Sequence, residues 1–135
     1  MRILIIDDDP AGTDILEMIL APTNAVTRRA CDGESGVIQA AVFKPDLILL
    51  DYMLPGLDGL ETTRALRKVS NAPILILSVL DDPVLLAKVL NQGADDFLVK
   101  PVSREILLAH INNLVRRTDV HHKKNQPLLI PVQPI

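Results

Sequence analysis

The sequence predicts an α/β protein: a doubly wound, five-stranded parallel sheet built from five β-α units. Three observations lead there. The apolar runs at residues 3–6, 47–50 and 74–77 are continuous rather than alternating, as in strands covered on both faces. Amphipathic stretches with helical spacing separate these runs. Strands and helices alternate strictly, which with right-handed crossovers implies a parallel sheet carrying helices on both faces.

Each element has its own signal. The first strand, 3–6, runs into Asp7-Asp8-Asp9-Pro10. Asp9 before Pro10 reads as a helix cap followed by proline at the first helical position. Ile15, Leu16, Ile19 and Leu20 then share one helical face. A weaker second strand at 25–30 precedes a second helix at 33–43. The third strand, 47–50, ends at Asp51, and Asp58 with Glu61 has capping-box spacing at the head of a helix through 69. The fourth strand, 74–77, ends at Ser78. Asp82-Pro83 repeats the cap-and-proline signal before the stripe Leu85, Leu86, Val89 and Leu90, and Gly93 suits a helix C-terminus. A short fifth strand, 97–99, ends at Lys100-Pro101, and Leu107, Ile111, Leu114 and Val115 stripe a last helix. The periodicity stops near Arg117. The expected organisation is one domain, 1–117, and a tail or linker, 118–135, with prolines among apolar residues. His121 and His122 are adjacent there and do not form one metal-binding helical face.

Composition narrows the function classes. The chain has 135 residues, 48% hydrophobic and 23% charged, with a formal net charge of −3. An acidic balance argues against displacing counterions from nucleic acid. Phe43, Tyr52 and Phe97 are the only aromatics, which leaves no base-stacking platform. Direct nucleic-acid contact is therefore not expected. No apolar run approaches the roughly 20 residues of a membrane helix, and the apolar stretch after Met1 is too short for a signal peptide. The single cysteine, Cys31, excludes an internal disulfide. A cytoplasmic setting, with Cys31 as a packing residue, is expected.

Ligands of an open parallel sheet bind beyond the carboxyl ends of its strands. Asp7 and Asp8, Asp51, Ser78 and Lys100 all fall at such ends. Crowded carboxylates raise one another's pKa unless a cation joins them. Hard oxygen ligands with open positions suit Mg²⁺, and a carboxylate can act as nucleophile to give an aspartyl-phosphate. Ser78 could donate to a phosphoryl oxygen and Lys100 neutralise another. The chemistry this implies is Mg²⁺-assisted phosphoryl transfer to an aspartate. Asp9 is assigned to the helix cap, and Asp58, Asp82 and Asp95 to caps or turns. His110 is expected at the surface or an interface.

Five segments carry a family resemblance: ILIIDDDP at 3–10, PDLILLD at 45–51, MLPGLDG at 53–59, PILILS at 73–78 and GADDFLVKP at 93–101. In this order and spacing the sequence resembles the receiver domain of bacterial two-component response regulators, over residues 1–117. The resemblance implies a flavodoxin-like (βα)₅ fold and a phosphorylation-controlled switch rather than an enzyme with an external substrate. It implies that Asp51 accepts phosphate from a histidine kinase or phosphotransfer protein. Asp7, Asp8, Asp51 and the backbone carbonyl of Met53 would hold Mg²⁺. Ser78 would move toward the phosphoryl group, Lys100 would bridge to it, and Phe97 would be the switch aromatic. Strand five and the last helices would relay the signal to a downstream effector.

Val79 stands where the family usually has Ala or Gly, and Val102 where Phe is frequent. A phosphorylation-dependent homodimer is compatible with the family. The charged pairs that many members use for it are mostly missing here, where Leu86, Gln92, Ile106, His110 and Asn112 stand. Two rivals share parts of the pattern. A phosphatase of the haloacid dehalogenase type would use Asp7 and Asp9, but has no room for its cap and leaves Asp51 unexplained. A phosphate-independent receiver-like adaptor usually lacks part of the acid set, which is complete here.

Overall fold

The structure, a computed structural model, describes residues 1–122. Strands β1 (Arg2–Ile6), β2 (Val26–Ala30), β3 (Leu47–Asp51), β4 (Ile74–Ser78) and β5 (Asp96–Val99) form one sheet in the order β2-β1-β3-β4-β5, every neighbouring pair parallel. Helices α1 (Pro10–Leu20), α2 (Gly33–Phe43), α3 (Gly59–Arg67), α4 (Pro83–Asn91) and α5 (Arg104–His122) connect or follow them. The chain starts mid-sheet, moves outward to β2, then crosses back to β3. The carboxyl ends of β1 and β3 therefore flank the point where the winding reverses, the place where such sheets open a crevice.

The continuous apolar strands divide their residues between two cores. Leu4, Ile6, Ile48, Leu50, Ile74 and Ile76 face α2, α3 and α4, meeting Ala40, Phe43, Leu66, Leu85 and Val89. Ile3, Ile5, Leu47, Leu49, Leu75 and Leu77 face the other way, meeting Leu20 of α1 and Leu107, Ile111, Leu114 and Val115 of α5. Burying such a side chain stabilises the fold by about 1.5–3 kcal/mol, so these two layers hold the strand ends in fixed register.

Aspartates open four of the helices. Asp9 accepts from Ala11 N at 3.1 Å, Asp32 from Ser35 N at 2.7 Å, Asp58 from Glu61 N at 2.8 Å and Asp82 from Val84 N at 2.9 Å. Each satisfies one of the orphan N–H groups of a first helical turn. At the opposite edge Arg67 ties three segments together. Its guanidinium donates to Gly93 O at 2.8 Å, Ala72 O at 2.6 Å and the Asp95 carboxylate at 2.6 Å. Gly93 has φ +113°, and a Cβ there would lie 2.7 Å from Arg67 Cγ, so this turn requires glycine.

Two helix ends differ from the sequence expectation by two residues or more. Helix α3 ends at Arg67 rather than at 69. Helix α5 continues past Arg117 to His122. Its apolar stripe ends at Val115, buried against the sheet, while its backbone continues; periodicity reports the buried face and not the helix itself. Residues 123–135 of the expected tail lie outside the described residues. No helix among the described residues is long and apolar enough to cross a membrane.

Candidate functional site

The functional side chains stand on the carboxyl edge because each follows a buried strand. Asp7 leaves β1 with its backbone N–H bonded to Ala30 O of β2 at 3.0 Å. Asp51 is the last residue of β3, paired in register with Leu77, and Ser78 ends β4, paired with Val99. Lys100 follows β5, its N–H bonded to Ser78 O at 2.7 Å, and the Lys100–Pro101 peptide is cis.

Three of the expected acids come together. Asp7, Asp8 and Asp51 each offer a carboxylate oxygen, and these oxygens lie within 4.8 Å of one another. Asp7 and Asp51 are buried and Asp8 is exposed, so the cluster is rooted in the protein and open on one side. This all-oxygen set with an open face fits a hard divalent cation that keeps waters and takes phosphate oxygens. Lys100 Nζ lies 3.5 Å from Asp51 Oδ2 and 3.9 Å from Asp7 Oδ2. Met53 N donates to Asp51 Oδ1 at 3.2 Å, and Asp9 N to Asp7 Oδ1 at 2.9 Å.

Burial pushes the Asp51 carboxyl above its ordinary pKa, opposed by the Lys100 ammonium and the Met53 N–H, and reinforced by the neighbouring Asp7. The Tyr52 hydroxyl is likewise raised, by burial and by the charges of Asp58 and Asp82.

Ser78 is fully buried, and its Oγ accepts from Leu80 N at 3.0 Å. Phe97 pairs in register with Ile76 and so lies on the same sheet face as Ser78, two positions along. Phe97 is half-buried against the α2–α4 core. Asp9 caps α1, as expected, while its side chain stays outside the acid trio. Asp58 and Asp82 are caps. Asp95 is a tie rather than a simple turn acid: it accepts from Ile74 N at 2.8 Å and pairs with Arg67. Cys31 is exposed rather than packed.

Sequence reasoning missed the pair of His110 Nδ1 on α5 with Asp96 Oδ2 on β5, at 2.5 Å. Residues fourteen apart with no local motif between them gave no signal. It also missed that Val79 is 63% exposed and lines a groove with Asp7 and Lys100.

Comparison with known proteins shows the family and the fold. A model of the response regulator receiver domain matches residues 3–112. The chain belongs to the response regulator receiver family. DNA-binding dual master transcriptional regulator RpaA of Synechocystis is 40% identical over 121 residues, covering 87% of this chain and 50% of that protein. DNA-binding response regulator MtrA of Mycolicibacterium smegmatis is 36% identical over 118 residues, covering 87% of this chain and 52% of that one. The receiver thus spans about half the length of these curated relatives. Among solved structures, a two-component response regulator from Clostridium difficile superposes with a TM-score of 0.85 at 30% identity, covering 88% of this receiver and 98% of that chain. The BeF₃-activated N-terminal receiver domain of Klebsiella pneumoniae RstA gives 0.82 at 32% identity, covering 86% and 99%. The fold is the flavodoxin-like (βα)₅ of these receivers, and the chain is a signalling domain.

Proposed function

We propose that this receiver is a phosphorylation-controlled switch whose phosphoacceptor is Asp51. The carrying observation is the juxtaposition at one strand edge of Asp51, two further acids and Lys100 Nζ, 3.5 Å from the Asp51 carboxylate. The donor is a phosphohistidine of a sensor kinase or phosphotransfer protein. An Asp51 carboxylate oxygen forms the new bond to phosphorus as the P–N bond breaks, and the electron pair leaves with the imidazole. Asp7, Asp8, Asp51 and the Met53 carbonyl are the groups that would hold Mg²⁺, which supplies charge neutralisation for the phosphoryl oxygens. Lys100, whose Nζ lies 3.5 Å from Asp51 Oδ2, would take another phosphoryl oxygen. Holding these groups before the reaction is itself catalytic, since charge develops where opposite charge already stands.

The product adds a group of about two negative charges beside Asp7. Ser78 Oγ leaves Leu80 N to donate to a phosphoryl oxygen, and Phe97, on the same sheet face, takes up the space released. The change reaches the α4–β5–α5 surface. There Val84, Leu90, Val99 and Ile106 are exposed, a surface suited to an effector or a second copy rather than to a charged-pair dimer. Relatives named as DNA-binding regulators make transcription a fitting output of the relay, with the receiver itself making no DNA contact. The setting proposed for this relay is the cytoplasm.

Incubation with acetyl phosphate tests the reading. Intact-protein mass should rise by one phosphoryl group with Mg²⁺ present and stay unchanged in excess chelator. Equal labelling in both conditions would remove the metal from the mechanism.

A further inference from the structure

An open groove of about 440 Å³ runs between α1 and the β5–α5 loop. The phosphoryl transfer described above gives it no role. Leu77 and Leu107, both buried, form its floor, and Leu16, Ile19, Val79 and Val102 its walls. Its polar groups are Asp7, Asp9 and Lys100. Lys100 Nζ lies 3.5 Å from Asp51 Oδ2. One end of the groove is therefore the edge where phosphate is accepted, and the rest is apolar.

We propose that this groove takes the alkyl chain of an acyl phosphate, making medium-chain acyl phosphates better small-molecule phosphodonors than acetyl phosphate. The inference rests on Asp51 being the phosphoacceptor. Charge complementarity selects this occupant. The donor's anionic phosphate belongs at Lys100 and the cation-binding acid cluster, of which Asp7 is a member. The uncharged chain is left to the apolar walls, which carry no charged group beyond that end. In the reaction an Asp51 oxygen forms its bond to phosphorus as the P–O bond to the acyl carboxylate breaks. The electron pair leaves on a free carboxylate, and no further reactant is needed. Acetyl and longer straight-chain carboxylates are leaving groups of nearly equal basicity, so a rate difference between them reports binding of the chain.

A fully buried methylene favours binding by about fourfold. The groove is open along one side, so about twofold per methylene is expected. With the full chain, Mg²⁺ and donor well below saturation, hexanoyl phosphate, four methylenes longer, should label Asp51 about sixteenfold faster than acetyl phosphate, with butyryl phosphate about fourfold faster. Ile15, 57% exposed on the α1 wall, offers a surface change that leaves the core intact. In Ile15→Lys the hexanoyl-to-acetyl ratio should fall toward one. Independently of phosphorylation, hexan-1-ol titrated into metal-free protein should shift the methyl NMR signals of Leu16, Ile19, Val79 and Leu107, and ethanol should not. A flat chain-length series alongside efficient acetyl phosphate labelling would overturn the groove assignment alone, and would leave this face to a protein donor. Failure of every donor to label Asp51 would overturn the phosphoacceptor assignment and this inference with it.

Discussion

At the residue scale, Asp51 stands where a carboxylate is ill at ease. Burial, with Asp7 nearby, raises its pKa in the folded state despite Lys100. A carboxyl raised on folding favours the native state when protonated. That contribution is complete below its unfolded pKa and is lost as pH rises through the folded one. At neutral pH the ionised group therefore opposes folding. Asp51→Asn in metal-free buffer should raise the melting temperature by roughly 2–6 °C, the shift that about 1 kcal/mol produces in a domain of this size. The gap should close as pH falls toward about 4. Lys100 loses one carboxylate partner in this variant, but it is partly exposed and that pair is screened by water. A lowered melting temperature at neutral pH would mean that the Lys100 pair outweighs the burial. Val79 makes a second residue-level test. It is exposed and shares the groove with Asp7 and Lys100, and its branched side chain is stiff at χ1. With Asp51 as the proposed phosphoacceptor, a valine beside Asp7 and Lys100 would narrow the approach of water to the phosphoryl group. Purified phosphoprotein should lose phosphate several-fold faster in Val79→Ala than in wild type, and an unchanged or slower rate would leave Val79 without a gating role.

At the element scale, the Asp7-Asp8-Asp9 turn divides its labour between β1 and α1. Asp8 offers an oxygen to the acid trio, whereas Asp9 spends its carboxylate on Ala11 N. Asp8→Ala should abolish Mg²⁺ binding by titration calorimetry with little change in stability. Asp9→Ala should cost about 1 kcal/mol in denaturant unfolding and keep most of the Mg²⁺ affinity. Equal effects of the two changes on Mg²⁺ would reverse the assignment. The same scale explains how much of the fold was legible. Strands β1, β3 and β4 were read from their continuous apolar runs because the sheet buries both their faces. Strand β2 read weakly because it is an edge strand, carrying Arg28 over the Phe43 ring and Arg29 paired with Asp14 and Glu17. Those partners are ten or more residues away in sequence. The Asp32 cap went unnoticed for a related reason: its hydrogen bond to Ser35 N needs no apolar stripe to mark it, and α2 has little stripe to show.

At the scale of the whole molecule, parallel topology turns residues far apart in sequence into one site. The rule that ligands bind past the strand ends made Asp7, Asp51, Ser78 and Lys100 readable together. That rule carries no information about side-chain reach. The His110–Asp96 pair and the groove beside Lys100 became visible only in three dimensions. The acid cluster and both cores lie within residues 1–115, so a chain ending at His122 should accept phosphate from acetyl phosphate at the full-length rate. A large loss on that truncation would place 123–135 in the working domain. The central claim, that phosphate is carried by Asp51, is tested most directly by reductive mapping. Borohydride cleaves an aspartyl-phosphate to homoserine and so records its position permanently. After acetyl phosphate and Mg²⁺, peptide mapping should find homoserine at position 51 and nowhere else. Homoserine at Asp7, the nucleophile a dehalogenase-type phosphatase would use, would contradict the account.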